Sequence, residues 1–244
     1  MIKRKAMKTA YLIEDTSAVG GPGLAPQEVG IDEAGRGPML GRVYAAAVIL
    51  PLAPASLFDH SLMKDSKKFH SEKKIREAAT YIKENALAWA VAYADETVVD
   101  DINIRNATHK AMHTAIGALL GLESQSVAGF KPIAKDLRNV APILLLVDGN
   151  DFTPFITEDK KRLPHVCIEG GDNTYTSIAA ASILAKVFRD DYIKDLCTAN
   201  PDLITKYDLL KNKGYGTKKH MDGIRLNGIS PFHRKTFGLC REFA

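Results

Sequence analysis

The chain has 244 residues, of which 25% are charged and 45% hydrophobic, and its net charge is +4. This size and composition suit one globular α/β domain better than two. No run approaches the roughly 18 apolar residues that a membrane span needs, and three isolated cysteines exclude a disulfide framework. With no apolar signal core after the basic N-terminus, we expect a cytoplasmic protein that does not bind a membrane.

The positive charge is concentrated near the C-terminus. Between residues 211 and 241, eight lysines and arginines stand against Asp222 alone, so this segment carries +7 and the remaining chain about −3. A basic C-terminal third combined with acidic motifs elsewhere indicates an anionic polymer held beside a metal site. A solvated charged surface is the alternative interpretation.

A lead at residues 1–28, rich in glycine and proline, is predicted to be flexible. Alternating or short apolar runs then predict strands, at about residues 29–33, 42–50, 88–94, 143–147 and 166–168. Apolar residues at helical spacing predict helices, at about residues 71–86, 103–120, 175–196 and 217–227. This order of elements indicates an α/β fold in which helices flank a mixed five-stranded sheet.

No repeat or linker divides the chain after the lead, so residues 29–244 are predicted to form a single domain. Its catalytic core is expected at about residues 29–200. A small, helical and basic C-terminal region follows at about residues 201–244.

The stretch VGIDEAGRGPMLG, residues 29–41, is the most distinctive in the chain. Asp32 and Glu33 follow an apolar strand, and their side chains can serve one site only if the strand ends and the backbone turns there. Gly35 and Gly37 supply such a turn and let a ligand approach the bare backbone. Between them, Arg36 offers a forked cation that suits phosphate. An acidic strand end with a plain glycine turn is the weaker alternative.

Two further carboxylates are candidates for the same site. Asp148 ends a strand that is apolar throughout, and strand exits are where open α/β sheets bind ligands. Asp190 shares a helix face with Lys186, although its neighbour Asp191 leaves the choice open. Four carboxylates without a His or Cys cluster favour Mn²⁺ or Mg²⁺ over zinc. Two such ions can activate a water and stabilise the leaving oxygen of a phosphodiester.

Basic and aromatic side chains outside these motifs are candidate nucleic-acid contacts. Lysines and arginines supply salt-dependent contacts to phosphates. The candidates of this kind are Arg36, Lys67, Lys68, Lys186, Lys213, Lys218 and Lys219. Tyr215 lies between two glycines and could stack on a base or sugar, although a turn aromatic packed on the surface has the same local pattern. His233 and Arg234 could contact phosphate or form a C-terminal cap.

From about residue 29 to residue 237, the chain resembles ribonuclease HII, a type 2 ribonuclease H. The motifs that carry the resemblance stand in the family's order: GIDEAGRGP, DSKK (65–68), VDGN (147–150), GGD, AAASILAKVFRD (179–190), KGYGT and SPFHRKTF. The resemblance implies a ribonuclease H-like fold, in a monomer that hydrolyses the RNA strand of RNA–DNA hybrids with divalent cations. It also implies cleavage on the 5′ side of ribonucleotides embedded in duplex DNA, which leaves 3′-hydroxyl and 5′-phosphate ends.

The resemblance also assigns roles to residues. Asp32, Glu33 and Asp148 match the first three catalytic and metal-binding acids, and the acid after the arginine of AKVFRD matches the fourth, which selects Asp190. The GRG triplet, residues 35–37, matches the element that contacts the ribose 2′-hydroxyl. That hydroxyl is what distinguishes RNA from DNA at one site.

Tyr215 matches the family's junction-sensing tyrosine. The related ribonuclease HIII pattern has Thr where this chain has Arg36, which argues against that subtype. Two rival hypotheses remain: a metal-dependent DNA nuclease of the same fold, and a nucleic-acid-binding module without catalytic activity. The GRG triplet argues against the first, and the complete set of acids argues against the second.

Overall fold

The computed structural model describes residues 7–11, 26–51, 58–122, 125–134 and 142–244. These residues fold around a six-stranded mixed sheet with the order β4-β3-β2-β1-β5-β6. The strands are β1 (Gln27–Ala34), β2 (Val43–Ile49), β3 (Ala88–Ala94), β4 (Val127–Lys131), β5 (Ile143–Asp148) and β6 (His165–Ile168).

Strand direction decides which edge of the sheet can carry a site. β1 pairs antiparallel with β2 and parallel with β5, and β5 pairs parallel with β6. The carboxyl ends of β1, β5 and β6 therefore meet at one edge, where Ile31 is opposite Val147 and Asp148 is opposite Ile168. Residues that end or follow these strands are brought together there.

Helices cover both faces of the sheet. Those in the described residues are α1 (Glu72–Asn85), α2 (Glu96–Leu119), α3 (Thr176–Ala199), α4 (Asp202–Tyr207), α5 (Leu209–Asn212) and α6 (Lys218–Asn227). α2 packs on one face, and α1 with α3 on the other. In β2, Val43 and Ala45 pack on the α2 side while Ala46 and Val48 pack on the opposite side. Every residue of β2 is buried, as expected of a central strand with both faces covered.

α3 and β1 are in backbone contact. The first half of α3 is buried and contains Ala179, Ala180 and Ala181, whose small side chains allow a close approach to the sheet. A Cβ added to Gly30 would lie 2.1 Å from the carbonyl carbon of Ser177. This contact fixes the distance between the acids of β1 and the side chains of α3.

The mixed α/β architecture predicted from the sequence is confirmed, but the sheet has six strands rather than five. The strand that the prediction missed is β4, which pairs only with β3 at one edge of the sheet. Its sequence VAGFK contains a glycine, and Phe130 is 55% exposed. An edge strand with one solvated face needs no apolar run, so its pattern was too weak to predict.

The predicted start of the second helix, at about residue 103, coincides with a kink in the observed helix, and the part before the kink was not predicted. α2 begins at Glu96, and the carboxylate of Asp95 caps it by accepting a hydrogen bond from the Val98 N–H at 2.9 Å. Asn103 interrupts the helix with a φ of 66°. Its apolar positions on either side of Asn103 are therefore out of phase, and regular spacing is visible only after the interruption.

The two ends of the chain pack on the core in different ways. Residues 7–11 contact the start of α3, whereas residues 1–6 and 12–25 of the predicted lead lie outside the described residues. The division into a flexible lead and one domain therefore stays a prediction. The C-terminal region packs Leu203 and Ile224 against the end of α3. Within the described part of the chain, no helix is long and apolar enough to cross a membrane.

The backbone contact at Gly30 yields a stability prediction. We expect Gly30→Ala to lower the free energy of unfolding by about 3 kcal/mol or more, because the new methyl group has no space beside Ser177. Gly117→Ala is the matched control, since the nearest atom to its Cβ would be 4.0 Å away. In helix α2 that change is expected to add about 0.5–1 kcal/mol. Urea unfolding measures the free energy of unfolding of both variants. Equal values for Gly30→Ala and Gly117→Ala would contradict the close contact at Gly30.

Candidate active site

A cluster of carboxylates lies at the edge where β1, β5 and β6 end. Asp32, Asp148 and Asp172 each place a carboxylate oxygen within 4.8 Å of the others. Asp32 and Asp172 are buried and Asp148 is half-buried. Glu33 lines the same cavity, which has a volume of about 240 Å³.

Hydrogen bonds tie the ends of β5 and β6 together. An oxygen of Asp148 accepts from the N–H of Gly171 at 2.7 Å, and the N–H of Gly149 donates to the carbonyl of Ile168 at 3.0 Å. At the end of β1, the Glu33 N–H donates to the Asp32 carboxylate at 2.7 Å. The acids are therefore held by backbone groups of neighbouring strand ends.

The acids repel one another in a poorly solvated place. Burial, and then the negative charges of Glu33 and Asp148, hold the pKa of Asp32 well above its usual range. Burial likewise raises the pKa of Glu33, although the Arg36 guanidinium 3.1 Å away opposes the shift. Burial and then Asp148 raise the pKa of Asp172. A cation bound among these oxygens would remove the repulsion, so the donor set fits Mn²⁺ or Mg²⁺.

The GRG triplet forms one wall of the cavity. Gly35 has a φ of +93°, which only glycine adopts without strain, and Gly37 has the Tyr215 ring 3.5 Å from the place a Cβ would take. Arg36 is half-exposed. Gly35, Arg36, Gly37, Lys67, Lys186 and Tyr215, the predicted substrate contacts, all line this cavity with Asp32, Glu33 and Asp148.

Arg234 holds the GRG triplet in place from behind. This side chain is fully buried, and its guanidinium donates to the backbone carbonyls of Gly35, Arg36, Pro38 and Gly41 at 2.7–2.9 Å. A phosphate contact is therefore excluded for Arg234, because no part of it reaches solvent. His233 is also buried, at 1% exposure, and the same alternative is wrong for it.

Two histidines hold the backbone of Tyr215. His220 Nδ1 lies 3.0 Å from the Tyr215 carbonyl, which can only accept, so Nδ1 carries a proton. The Ser230 N–H donates to His233 Nδ1 at 2.9 Å. In the neutral pair, His233 Nε2 is then the donor to His220 Nε2 across 3.0 Å. We call His233 and His220 the histidine relay. Each ring is neutral, accepts one hydrogen bond and donates one, so the chain of bonds leads from the Ser230 N–H through both rings to the Tyr215 carbonyl.

Asp190 is not among the acids of the carboxylate cluster. Its carboxylate accepts from Lys186 at 3.1 Å and from Arg189 at 3.0 Å, and it lines a separate neighbouring cavity. Arg189 in turn lies 5.3 Å from the centre of the Tyr215 ring. The adjacent Asp191 binds Arg76 on α1. The predicted metal-binding role of Asp190 is not supported by this position, and it stays a prediction.

Two parts of this arrangement were missed by reasoning from the sequence. Asp172 follows the end of β6 after Glu169 and two glycines, so it is an acid in a glycine turn at a strand exit, as Asp148 is an acid at a strand exit before Gly149. That signal was present, and the parallel pairing of β5 with β6 would have placed both acids at one edge. Arg234 and the histidine relay gave no local signal, because their partners are distant in the sequence.

Comparison with known proteins identifies the family. The family model described as ribonuclease HII matches residues 29–240. The chain belongs to the ribonuclease HII family. Ribonuclease HII of Parabacteroides distasonis is 44% identical over 215 residues, which are 88% of this chain and 92% of that protein. Ribonuclease HII enzymes act on RNA–DNA hybrids, so the predicted enzyme class is confirmed.

Solved structures share the fold. Ribonuclease H2 from Pyrococcus horikoshii OT3 aligns with a TM-score of 0.63 at 18% identity and covers 88% of this chain and 96% of that chain. Bst-RNase HIII in complex with Mn²⁺ aligns with a TM-score of 0.58 at 20% identity, over 89% and 68% of the two chains. The ribonuclease H-like fold predicted from the sequence is thereby confirmed.

The histidine relay of this ribonuclease HII chain makes its stability pH-dependent. Burial, followed by the charge of His220, lowers the pKa of His233 from 6.5 to about 4. Because the folded pKa lies below the unfolded one, the relay contributes fully above pH 6.5 and loses its contribution as the pH falls towards 4. We expect the free energy of unfolding to fall by about 3 kcal/mol between pH 6.5 and pH 4.

The measurement is urea unfolding between pH 4 and pH 7.5. His233→Gln should remove this part of the pH dependence. His70→Gln, at an exposed position, is the control and should keep it. A wild-type stability that does not fall relative to His233→Gln below pH 6.5 would contradict the neutral relay.

Proposed function

We propose that this chain hydrolyses the RNA strand of RNA–DNA hybrids and also cuts duplex DNA on the 5′ side of embedded ribonucleotides, leaving 3′-hydroxyl and 5′-phosphate ends. The observation that supports this most directly is the shared cavity. Asp32 and Asp148 of the carboxylate cluster, which can hold metal, line the same space as Tyr215 and the GRG triplet, which can reach a sugar hydroxyl. Cleavage and recognition of a ribose would then occur at neighbouring positions on one strand.

We infer that Asp32, Glu33, Asp148 and Asp172 hold the divalent cations. Their convergent oxygens and raised pKa values fit ions with a preference for oxygen ligands. Bst-RNase HIII, which shares the fold, was crystallised with Mn²⁺. A pair of Mn²⁺ or Mg²⁺ ions would supply activation of a water and stabilisation of the leaving oxygen.

The protein's own groups orient the substrate around that centre. Gly35 and Gly37 line the cavity, and the backbone of the exposed Gly37 would bind the ribose 2′-hydroxyl, because no side chain of its own is in the way. Lys67 lies beside the acids, and although partial burial lowers its pKa, the charges of Asp172 and Asp65 outweigh this and raise it. It therefore stays protonated and can bind a phosphate next to the cleaved bond.

Tyr215 offers an exposed ring at the other side of the sugar. The ring is 48% exposed, rests over Gly37 and has the Arg189 guanidinium behind it. A flat ring held in this way can stack on the sugar or base at an RNA–DNA junction. The basic C-terminal region, including the exposed Lys218 and Lys219, would contact phosphates of the duplex.

The composition of the site also argues against the two rival hypotheses. A DNA nuclease of this fold would have no use for the GRG triplet beside the acids, and a binding module would have no use for a buried cluster of acids. We propose action as a monomer on hybrids and on ribonucleotide-containing DNA. The three free cysteines are consistent with the predicted cytoplasmic, reducing location.

The choice between Asp172 and Asp190 as the fourth acid can be tested directly. Asp172→Asn is expected to lower turnover on an RNA–DNA hybrid more than about 100-fold, because it removes ligand charge from the metal centre. Asp190→Asn should lower it less, since Asp190 contacts Lys186 and Arg189 rather than the cluster. Asp191→Asn is the matched control on the same helix. An Asp190→Asn defect as large as that of Asp172→Asn would restore the assignment made from the sequence.

Tyr215 tests recognition of a single ribonucleotide. The substrates are matched DNA duplexes with one embedded ribonucleotide or none, with Mn²⁺, Mg²⁺ or a chelator. We expect Tyr215→Ala to reduce turnover at the ribonucleotide at least about tenfold, since stacking on one base is worth roughly 1–3 kcal/mol. Affinity for both duplexes should change much less, because phosphate contacts are retained.

Two comparisons make the Tyr215 experiment decisive. Lys218→Ala should instead weaken binding of both duplexes equally, because its phosphate contact does not depend on sequence or sugar. If Tyr215→Ala reduces turnover and affinity in proportion, Tyr215 is a binding contact only. Cleavage of the all-DNA duplex would favour the DNA nuclease hypothesis.

A further inference from the structure

The N-terminal segment at residues 7–11 lies before the region matched by the ribonuclease HII family, yet it is attached to the core. Lys8 forms a parallel backbone bridge with Tyr175 at the start of α3. The Lys8 N–H donates to the Thr174 carbonyl at 2.8 Å, and the Thr176 N–H donates to the Lys8 carbonyl at 3.0 Å. One residue of the segment thus binds the backbone on both sides of Tyr175.

The other end of the segment is fixed to β1. The Tyr11 N–H donates to both carboxylate oxygens of Glu28, at 2.7 and 2.8 Å, and Glu28 is buried. Burial raises the pKa of Glu28 to about 7, and the Tyr11 N–H opposes that shift by stabilising the carboxylate. The Tyr11 ring also packs on the Tyr175 ring with centroids 5.6 Å apart. The segment therefore spans from the central strand to the start of α3.

The backbone that Lys8 binds belongs to the turn that carries Asp172. Thr174 and Tyr175 both donate their N–H groups to the Gly171 carbonyl at 2.8 Å. The N–H of Gly171 donates to the Asp148 carboxylate at 2.7 Å. A continuous path of hydrogen bonds thus leads from Lys8 through this turn to the Asp148 carboxylate, and the turn itself carries Asp172.

The turn is held partly by its own hydrogen bonds, which include that from the Asn173 N–H to the Gly170 carbonyl at 3.0 Å. It is a single 3₁₀ turn, Gly171–Asn173, that starts after Gly170 in the left-handed region with a φ of 64°. Two adjacent glycines leave the backbone many alternative conformations. Contacts from outside the turn therefore add to the bonds within it in fixing the position of Asp172, and the bridge with Lys8 is one of them.

We propose that residues 7–11 are a positioning strap for the metal-binding acids: by pairing with Thr174–Thr176 they hold Asp172 and the Gly171 N–H in the arrangement that binds a divalent cation. This inference rests on the proposed function, since it assigns Asp172 to the metal centre. The strap itself touches neither metal nor substrate. Glu28 and Lys8 are positioning residues, and their effect reaches the site only through the turn.

The test compares two substitutions at one position in the full-length chain. Lys8→Pro removes the N–H that binds Thr174, whereas Lys8→Ala keeps the backbone and is the matched control. Mn²⁺ binding to the protein alone is measured by calorimetry. We expect Lys8→Pro to weaken Mn²⁺ binding about tenfold, as loss of groups that orient metal ligands commonly does. Lys8→Ala should stay within about twofold of the unsubstituted chain, because its backbone bridge is retained.

A second pair acts at the other end of the strap and covers the case in which Lys8→Pro does not fold. Glu28→Ala removes the acceptor for the Tyr11 N–H and should weaken Mn²⁺ binding in the same direction. Glu28→Gln keeps an acceptor oxygen of the same reach and should restore it. A merely structural role would lower the thermal midpoint of the variants without this pattern of loss and rescue.

Amide hydrogen exchange provides a readout that needs no metal. Exchange of the Gly171, Thr174 and Tyr175 amides should be faster in Lys8→Pro than in Lys8→Ala. If the unsubstituted chain binds Mn²⁺ and folded Lys8→Pro or Glu28→Ala binds it equally well, the strap hypothesis is overturned while the proposed function stands. If the unsubstituted chain does not bind Mn²⁺, the proposed function fails, and the strap's role with it.

Discussion

The parallel pairing of β1, β5 and β6 is the constraint on which the site depends. The carboxyl ends of neighbouring parallel strands lie at the same edge of a sheet. Acids that are far apart in the sequence but follow these strands therefore lie close together there. The backbone contact between Gly30 and Ser177 then sets how far α3 stands from that edge. Together these two features determine the positions of Asp32, Asp148 and Lys186 before any ligand is present.

Placing ionised acids this close together is electrostatically unfavourable in the protein without a bound cation. The pKa of Asp32 and of Asp172 is raised because burial and neighbouring charges disfavour ionisation of both. The protein opposes part of this cost with the cations of Arg36 and Lys67 and with backbone N–H donors such as that of Gly171. The remaining repulsion favours cation binding, so the strained arrangement of charges serves the proposed chemistry.

The sequence predicted features that depend on local patterns and missed those that depend on distant contacts. Asp32 and Asp148 were predicted because each follows an apolar run and precedes a glycine turn. Asp172 was missed although the strand at residues 166–168 was predicted, because Glu169 and two glycines separate this acid from the end of the strand. The role of Arg234 could not be predicted, since its acceptors lie almost 200 positions earlier, at separations of 193 to 199 residues. Such pairs emerge only when the chain is folded.

The burial of Arg234 has an electrostatic consequence for substrate attraction. Its guanidinium binds backbone carbonyls, and in the described residues no carboxylate accepts a hydrogen bond from it. Burial lowers its pKa to about 10, so it remains cationic at neutral pH. A positive charge thus lies directly behind the GRG triplet, where mobile ions cannot gather around it. Salt screens this field less than the field of the surface lysines, so its attraction for phosphate in the cavity falls less as the ionic strength rises.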